Sequence, residues 1–341
     1  MFKRKGECMR RSYSTLTLGV VLLLLIFSTT VYSQANNPDL SLTQAERDSI
    51  LKDYDQIFPI WGRKVIEKGF DLPYPYGANV IYFYMNQGIN LGNFGLSMGG
   101  DPLNHEWSNV LKFKDTKTIV NTVNARFDLW LFPFLNIYGL AGKGWSTTTV
   151  HPTITLPNKE IPFTSEVSQS GLYYGFGFTG AVGIKKNWLS LDINWTWTDL
   201  ELLDKPVPAR VLGIRYGRTF KFKTGKRMAV WLGAMHQKFQ TETNGSIFLK
   251  DALPGDVIDE LEEYMNTPEY GSLPQWKQEL IRRVVEGWET AKINYGMDKG
   301  PEAPWNLIIG LNYEHTKHWQ FRVEGGLIVR YSLLLNINYR F

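Results

Sequence analysis

Apolar and polar residues alternate along most of the chain from Ala78 onward, in recurring segments of about ten residues or more. Within residues 187–199, Leu189, Leu191, Ile193, Trp195 and Trp197 fall on one side, with Trp188, Ser190, Asp192, Asn194 and Thr196 on the other. Residues 171–184 set Leu172, Tyr174, Phe176, Phe178, Val182 and Ile184 against Tyr173, Gly175, Gly177, Thr179, Ala181 and Gly183. The same period sets Leu307, Ile309, Leu311 and Tyr313 against Asn306, Gly310, Asn312 and Glu314. It also sets Trp319, Phe321 and Val323 against Gln320, Arg322 and Glu324. A period of two sends successive side chains to opposite faces of a strand, so the pattern predicts an all-β chain whose strands each meet two environments.

Two architectures satisfy that pattern. A soluble sandwich or lipocalin-like barrel turns its apolar face inward. A transmembrane barrel inverts it, with apolar residues toward lipid and polar residues toward a lumen. Three features favour the inverted arrangement. The apolar faces are rich in Tyr and Trp near segment ends, as interfacial girdles require. The opposite faces carry Gly and uncharged polar groups with few charges. The chain also ends in "SLLLNINYRF", where Leu333, Leu335, Ile337, Tyr339 and Phe341 alternate with Ser332, Asn336, Asn338 and Arg340. An apolar terminal strand of this kind is secure only where closure gives it two neighbours. The expected fold is an antiparallel transmembrane β-barrel of about 10–12 strands over residues 76–341.

Two stretches depart from the period of two. Residues 41–58, in a segment (34–75) that precedes the barrel, predict an amphipathic helix. Ser41 and Gln44 have capping-box spacing, and Leu42, Ile50, Leu51, Tyr54 and Phe58 fall near one face. Residues 245–295 predict a helical insertion, with helices over 256–265 and 274–291 and Pro274 in a first turn. There Trp276, Leu280, Val284 and Trp288 recur every fourth residue, with Ile281 and Val285 beside them. So wide a stripe needs a partner surface. Packing of the helices on each other and on the barrel rim is the expected arrangement; a lid or plug is the alternative.

The first 33 residues change the charge picture. Lys3, Arg4, Lys5, Arg10 and Arg11 precede an apolar core over residues 16–27, and Val31 and Ser33 suit a cleavage site, so residues 1–33 predict a cleaved signal peptide. The whole chain has 37 Lys+Arg against 33 Asp+Glu, but residues 34–341 carry 32 of each. Composition therefore gives no case for nucleic-acid binding. Cys8, the one cysteine, leaves with the signal, which excludes disulfides and thiol chemistry from the remainder. Residues 34–341 contain no apolar run of the ~18 residues that a spanning helix needs.

The ending "LLLNINYRF" resembles the terminal signature of bacterial outer-membrane β-barrel proteins, and residues 125–142 and 189–199 look like a transporter-like or uncharacterised family of such barrels. The resemblance implies a bacterial outer-membrane location and recognition by the barrel-assembly machinery. Phe341 would be the terminal aromatic that this machinery reads, and Leu333, Leu335, Ile337 and Tyr339 the lipid-facing positions. With Phe341 at the periplasmic end, residues 131–136, 184–188, 219–227 and 314–319 become short periplasmic turns. Longer extracellular links follow Trp145, Asp199, Gln240 and Glu324, the helical insertion among them. Residues 89–118 leave the strand number open. A periplasmic turn at 99–106 would add a strand pair, whereas a single outer loop would not.

Catalytic signatures are sparse. The histidines are His105, His151, His236, His315 and His318, and no GxSxG elbow, HExxH or other metal motif accompanies them. His315 and His318 flank a turn, and "GFGFTG" alternates as a strand does rather than opening a helix as a phosphate loop would. No catalytic residue, metal site or cofactor is expected. Alternation places Arg126, Asp128, Asp192, Arg215, Arg322, Glu324 and Arg340 on lumenal faces. In a wide lumen they line a water-filled path; in a tight one they pair and fill it. The leading functional expectation is passage or uptake of a small hydrophilic or amphiphilic solute, with outer-membrane lipids around the barrel. A closed-lumen structural or surface-interaction barrel is the alternative, and an outer-membrane lipid-modifying enzyme the third.

Overall fold

The structure is a computed structural model and describes residues 42–98, 102–105, 110–184, 186–239 and 242–341. The signal segment lies outside the described residues. Ten antiparallel strands close on themselves: β1 (Tyr76–Met98), β2 (Leu111–Phe132), β3 (Leu135–Leu156), β5 (Ser165–Ile184), β6 (Asn187–Leu200), β7 (Val207–Lys221), β8 (Arg227–Phe239), β11 (Trp305–Glu314), β12 (Trp319–Leu327) and β13 (Arg330–Arg340). Closure is made by β1 against β13, in register from Gly77 opposite Arg340 to Gln87 opposite Arg330. β1 pairs directly with β2 from Tyr76 opposite Leu129 to Gly88 opposite Lys117, so no strand pair intervenes between them in the barrel, and residues 89–98 and 111–118 extend the two strands. That leaves ten strands.

The connections sort into two ends. The β2–β3, β5–β6, β7–β8 and β11–β12 links are tight and share an end with Tyr76 and Phe341, whose backbones exchange hydrogen bonds of 3.1 and 3.0 Å. In the β7–β8 link Gly225 adopts φ +81°, which lets Phe222 N–H donate to the Lys226 carbonyl at 2.8 Å. At the far end the links are longer, except for β12–β13.

The wall is lopsided. β1, β2 and β3 run 23, 22 and 22 residues, whereas β11, β12 and β13 run 10, 9 and 11. A membrane-crossing strand needs about 9–11 residues. The long strands therefore project about ten residues, or roughly 30 Å, past the short ones. The segment after Gln240, expected as a loop with helices, contributes two strands to this projection: β9 (Glu242–Phe248) and β10 (Lys292–Pro301). β10 takes up the β1 edge from Ile89 opposite Pro301 to Met98 opposite Ile293. β3 likewise continues past Trp145, where a loop was expected, and pairs there with β4 (Lys159–Pro162) and β5.

Between β9 and β10 lie four helices: α3 (Leu249–Ala252), α4 (Gly255–Met265), α5 (Pro268–Gly271) and α6 (Gln275–Gly287). α4 and α6 pack through Val257, Leu261, Ile281 and Val284 onto Val110, Ile154, Leu156 and Ile161 of the projecting wall. This is the largest cluster of buried apolar side chains among the described residues, and it lies above the barrel rather than inside it. Helix on helix and helix on rim are thus both present.

The N-terminal helix differs from the expectation. α1 spans Gln44–Lys52 and ends before Tyr54 and Phe58. Its capping box joins Thr43 to Glu46: Glu46 Oε2 accepts from Thr43 N–H at 2.8 Å, and Thr43 Oγ1 accepts from Glu46 N–H at 3.3 Å. A first-turn carboxylate is favoured by the helix dipole, an advantage that neutral Gln44 lacks. Ser41 lies outside the described residues. No residue of α1 is fully buried; Ile50 and Leu51 of the face that the spacing suggested are half-buried beside α2. A second helix, α2 (Gly62–Glu67), went unread; its Ile66 is buried.

The outer surface of the ten strands is apolar and aromatic. Leu172, Tyr174, Phe176, Leu191, Tyr216 and Leu335 are all exposed, as is Phe341. A charge on this band should cost most at mid-height. Leu335→Arg is expected to lower stability in bilayers by about 2–4 kcal/mol, and Tyr339→Arg, in the girdle, by about 1 kcal/mol or less. Denaturant titration of the vesicle-inserted variants checks this gradient.

Candidate functional site: a polar lumen beneath an apolar vestibule

The inward faces enclose a cavity of about 650 Å³ that extends from Asn338 and Arg340 at the turn-rich end to Gln87 and Lys299 at the other. Arg126, Asp128, Asp192, Arg215, Arg322, Glu324 and Arg340 all line it. They fall into three groups.

Glu324 is the centre of the first. Arg215 grips it in bidentate fashion, Nε to Oε2 at 2.7 Å and Nη2 to Oε1 at 2.9 Å. Arg322 Nη2 donates to Oε2 at 2.7 Å and Trp231 Nε1 at 2.8 Å. β7 and β12 are not neighbours, so the Arg215–Glu324 pair crosses a chord of the barrel. Trp231 fits because Gly310 and Gly217 stand opposite it on β11 and β8's other neighbour, β7. A Cβ on Gly310 would run into the Trp231 indole. Such Gly–Trp pairing explains why the inner faces alternate glycine with large rings.

The second group sits near the closed end. Asp128 Oδ1 accepts from Arg340 Nη2 at 3.1 Å and Asn136 Nδ2 at 2.7 Å, while Oδ2 accepts from Asn79 Nδ2 at 2.8 Å. Arg126 instead donates to Asn136 Oδ1 at 3.1 Å and lies 3.6 Å above the Tyr138 ring. Asp192 forms the third, held by neutral donors: Tyr138 Oη at 3.0 Å, Thr179 Oγ1 at 2.6 Å and Asn194 Nδ2 at 3.4 Å. The structure thus gathers the charges into hydrogen-bonded clusters, the condition under which buried ions are tolerated.

Residues 70–75 cross beneath this end as a strap. The Asp71 carboxylate pairs with Arg227 on β8 and with Lys317 Nζ at 3.2 Å in the β11–β12 turn. Tyr74 stacks on His318 with centroids 4.7 Å apart, and Arg340 Nε donates to the Tyr74 carbonyl at 2.8 Å. His318 Nδ1 is 2.7 Å from the Arg340 carbonyl oxygen, which occupies it structurally. His236 faces outward against Trp305, with ring centroids 4.9 Å apart. Among the described residues, no group of three His, Cys, Asp or Glu is placed to hold a metal ion.

Above the lumen, a second cavity of about 510 Å³ lies between the projecting wall and α6. Its lining is predominantly apolar: Leu91, Phe94, Phe113, Ile154, Leu253 and Met297 are representative. Of the insertion stripe, Trp276, Leu280 and Val284 line this vestibule. Trp288 is set against the α3–α4 link, its Nε1 donating to the Leu253 carbonyl at 2.9 Å. Thr148, Gln169 and Lys299 line both cavities and form a polar waist between them. The terminal residues Leu333, Leu335, Ile337, Tyr339 and Phe341 are exposed on the outer wall, with Phe341 stacked on Tyr76 at 5.7 Å.

The strap and waist were not singled out from sequence. Lys299 had a local signal: Ile293, Tyr295, Met297 and Lys299 alternate with Asn294, Gly296 and Asp298 in a segment read as loop. Asn79 and Asn136 obey the same alternation that flagged the charges, but neutral amides drew no notice. Asp71 had no local signal, since its partners lie far along the chain.

No protein-family model matches the chain, and no curated protein does. Among solved structures it is similar to the outer membrane protein OprG from Pseudomonas aeruginosa (10% identity, 79% of this chain and 98% of that one, TM-score 0.36). It is also similar to the beta domain of the Bordetella autotransporter BrkA (11% identity, 78% and 100%, TM-score 0.34) and to the Ralstonia pickettii toluene transporter TbuX (6% identity, 79% and 90%, TM-score 0.31). Likenesses of this size carry no argument about what the barrel does.

Removing Glu324 leaves Arg215 and Arg322 facing each other without their shared anion. Glu324→Ala is expected to destabilise the barrel by about 3 kcal/mol, whereas replacing Arg215, Glu324 and Arg322 together with Met, Leu and Met should be near neutral. Denaturant titrations of both variants separate a broken cluster from an absent one.

Proposed function

We propose that the chain is an outer-membrane barrel for the passage of small hydrophilic or amphiphilic solutes. The observation that carries the reading is the lumenal cavity, whose lining reaches from the strap to the waist and is polar along much of its course. The exposed apolar band supports a membrane setting, since a closed barrel is the one β architecture that satisfies every backbone group in lipid. The C-terminal strand, apolar outward and ending on Phe341, suits recognition by an assembly machinery at that end of the barrel. Mixed charge on the lumenal wall argues against strong preference for either ion sign.

A closed-lumen barrel that serves a structural or surface role is the second reading. It is favoured by the Arg215–Glu324 chord and by the strap, whose Asp71 pairs and Tyr74–His318 stack cover the lower mouth. Passage requires the strap to yield.

Planar-bilayer recording of the purified protein tests this. Resolved openings are expected, and Asp71→Ala, which frees the strap from Arg227 and Lys317, should raise their frequency about tenfold or more if the strap contributes at least ~1.4 kcal/mol to closure. Silence from the wild type, from Asp71→Ala and from a chain lacking residues 250–292 would favour the closed reading.

A further inference from the structure

The polar waist is unlike the rest of the upper cavity. Lys299, on β10, reaches into it half-buried, and its Nζ has no ion pair among the described residues; its nearest aromatic partner is the Tyr295 ring, 5.9 Å away. Burial pushes the Lys299 ammonium below its ordinary pKa, as expected of a cation that lacks a nearby carboxylate. Beside it, the Gln169 Oε1 atom is buried without a hydrogen-bond partner. Thr148 shares its hydroxyl with Thr118 at 2.8 Å. A half-buried cation without a counter-ion at the floor of a predominantly apolar cavity is costly unless an anion completes it.

The other charges at the vestibule are accounted for. Glu279 is paired with Arg282 at 2.8 Å and Arg283 at 2.9 Å, and Lys277 lies against the Trp276 ring. Among the described charged residues that line the vestibule, Lys299 is the one that also lines the lumen beneath it. Exposed Trp276, Pro102 and Asn104 also line the cavity and mark its mouth toward the outside.

We propose that the vestibule is a binding site for single-tailed anionic amphiphiles, with the tail among the apolar residues of the wall and α6 and the acidic head on Lys299 and Thr148. The Lys299 ammonium donates to an acid oxygen, and the Thr148 hydroxyl lies in the same waist. The volume of about 510 Å³ falls in the range of small-molecule sites and suits one chain. The site deepens the passage reading by naming the amphiphile class, and its place as an antechamber to the lumen rests on that reading. Occupancy at equilibrium does not require the lumen to open.

The test is displacement of 11-(dansylamino)undecanoic acid from the full chain in nanodiscs of zwitterionic lipid, with empty nanodiscs subtracted. Competitors are dodecanoate, dodecanol and inorganic phosphate. Dodecanoate is expected to displace the probe about tenfold more tightly than dodecanol, the worth of one charge-assisted contact. Lys299→Met should remove that difference and leave dodecanol unchanged, Lys299→Arg should preserve it, and Leu280→Asn on α6 should weaken both amphiphiles. Equal binding of dodecanoate and dodecanol, indifference to Lys299→Met, or displacement by phosphate alone would overturn the proposal. Normal binding with a silent bilayer recording would refute passage while the site stands.

Discussion

Everything in this molecule depends on leaving no backbone hydrogen-bonding group without a partner where lipid surrounds it. The β1–β13 ladder meets that demand at the seam, and it fixes the rest of the topology. Antiparallel closure with both ends on one side requires an even number of strands, and the direct β1–β2 ladder sets it at ten. It also creates a problem at the top of the seam, where β13 stops and β1 continues. The solution is a handover at Gly88, whose carbonyl accepts from Glu302 N–H at 3.1 Å. Below it β1 pairs with β13, and above it with β10. The helical insertion is thus tied to the barrel through the same edge that closes it.

An apolar exterior forces the polar residues inward, and ten strands leave little room for them. The interior accommodates this by clustering. Carboxylates lie within reach of arginines, amides or hydroxyls, and large indoles lie over glycines on the facing strands. Because Arg215 and Glu324 belong to strands that are not adjacent, their bond fixes the cross-section as well as satisfying two charges. Filling and lining are therefore one and the same set of side chains.

Much of this was legible in the sequence because a period of two is a local property. Alternation placed Arg126, Asp128, Asp192, Arg215, Arg322, Glu324 and Arg340 on faces that the structure turns toward one cavity. What local pattern does not encode is which side chains meet across the lumen. Asp71 and Arg227 are 156 residues apart, and no spacing rule links a segment beneath the barrel to a strand in its wall. The upper sheet was missed for a different reason. β9 and β10 flank an insertion whose helical period is so strong that the short alternating runs beside it were absorbed into a loop. α1 differs in another sense: its apolar spacing exists, but Ile50 and Leu51 are only half-buried beside the short α2.

The two cavities have opposite character, and their order matters. Of the two solute classes in the proposed passage reading, a hydrophilic one would cross an apolar vestibule before the lumen and lose water without replacement, which favours the amphiphile. A wholly apolar one would settle in the vestibule and meet a polar waist it cannot satisfy. An amphiphile matches both environments in sequence. Its tail has partners beneath it as well, since Ile81, Phe83, Met85, Leu140 and Leu334 also line the lumen between the polar groups. The Glu324 cluster lies along that course, so transit requires the Arg215–Glu324 chord to rearrange. A bidentate pair that three donors support will do so rarely unless an incoming acid offers the arginines an alternative anion. On the proposed reading, the acidic head group held by Lys299 at the waist would also be the anion that loosens the next constriction, so the interior charges would respond to the solute instead of obstructing it.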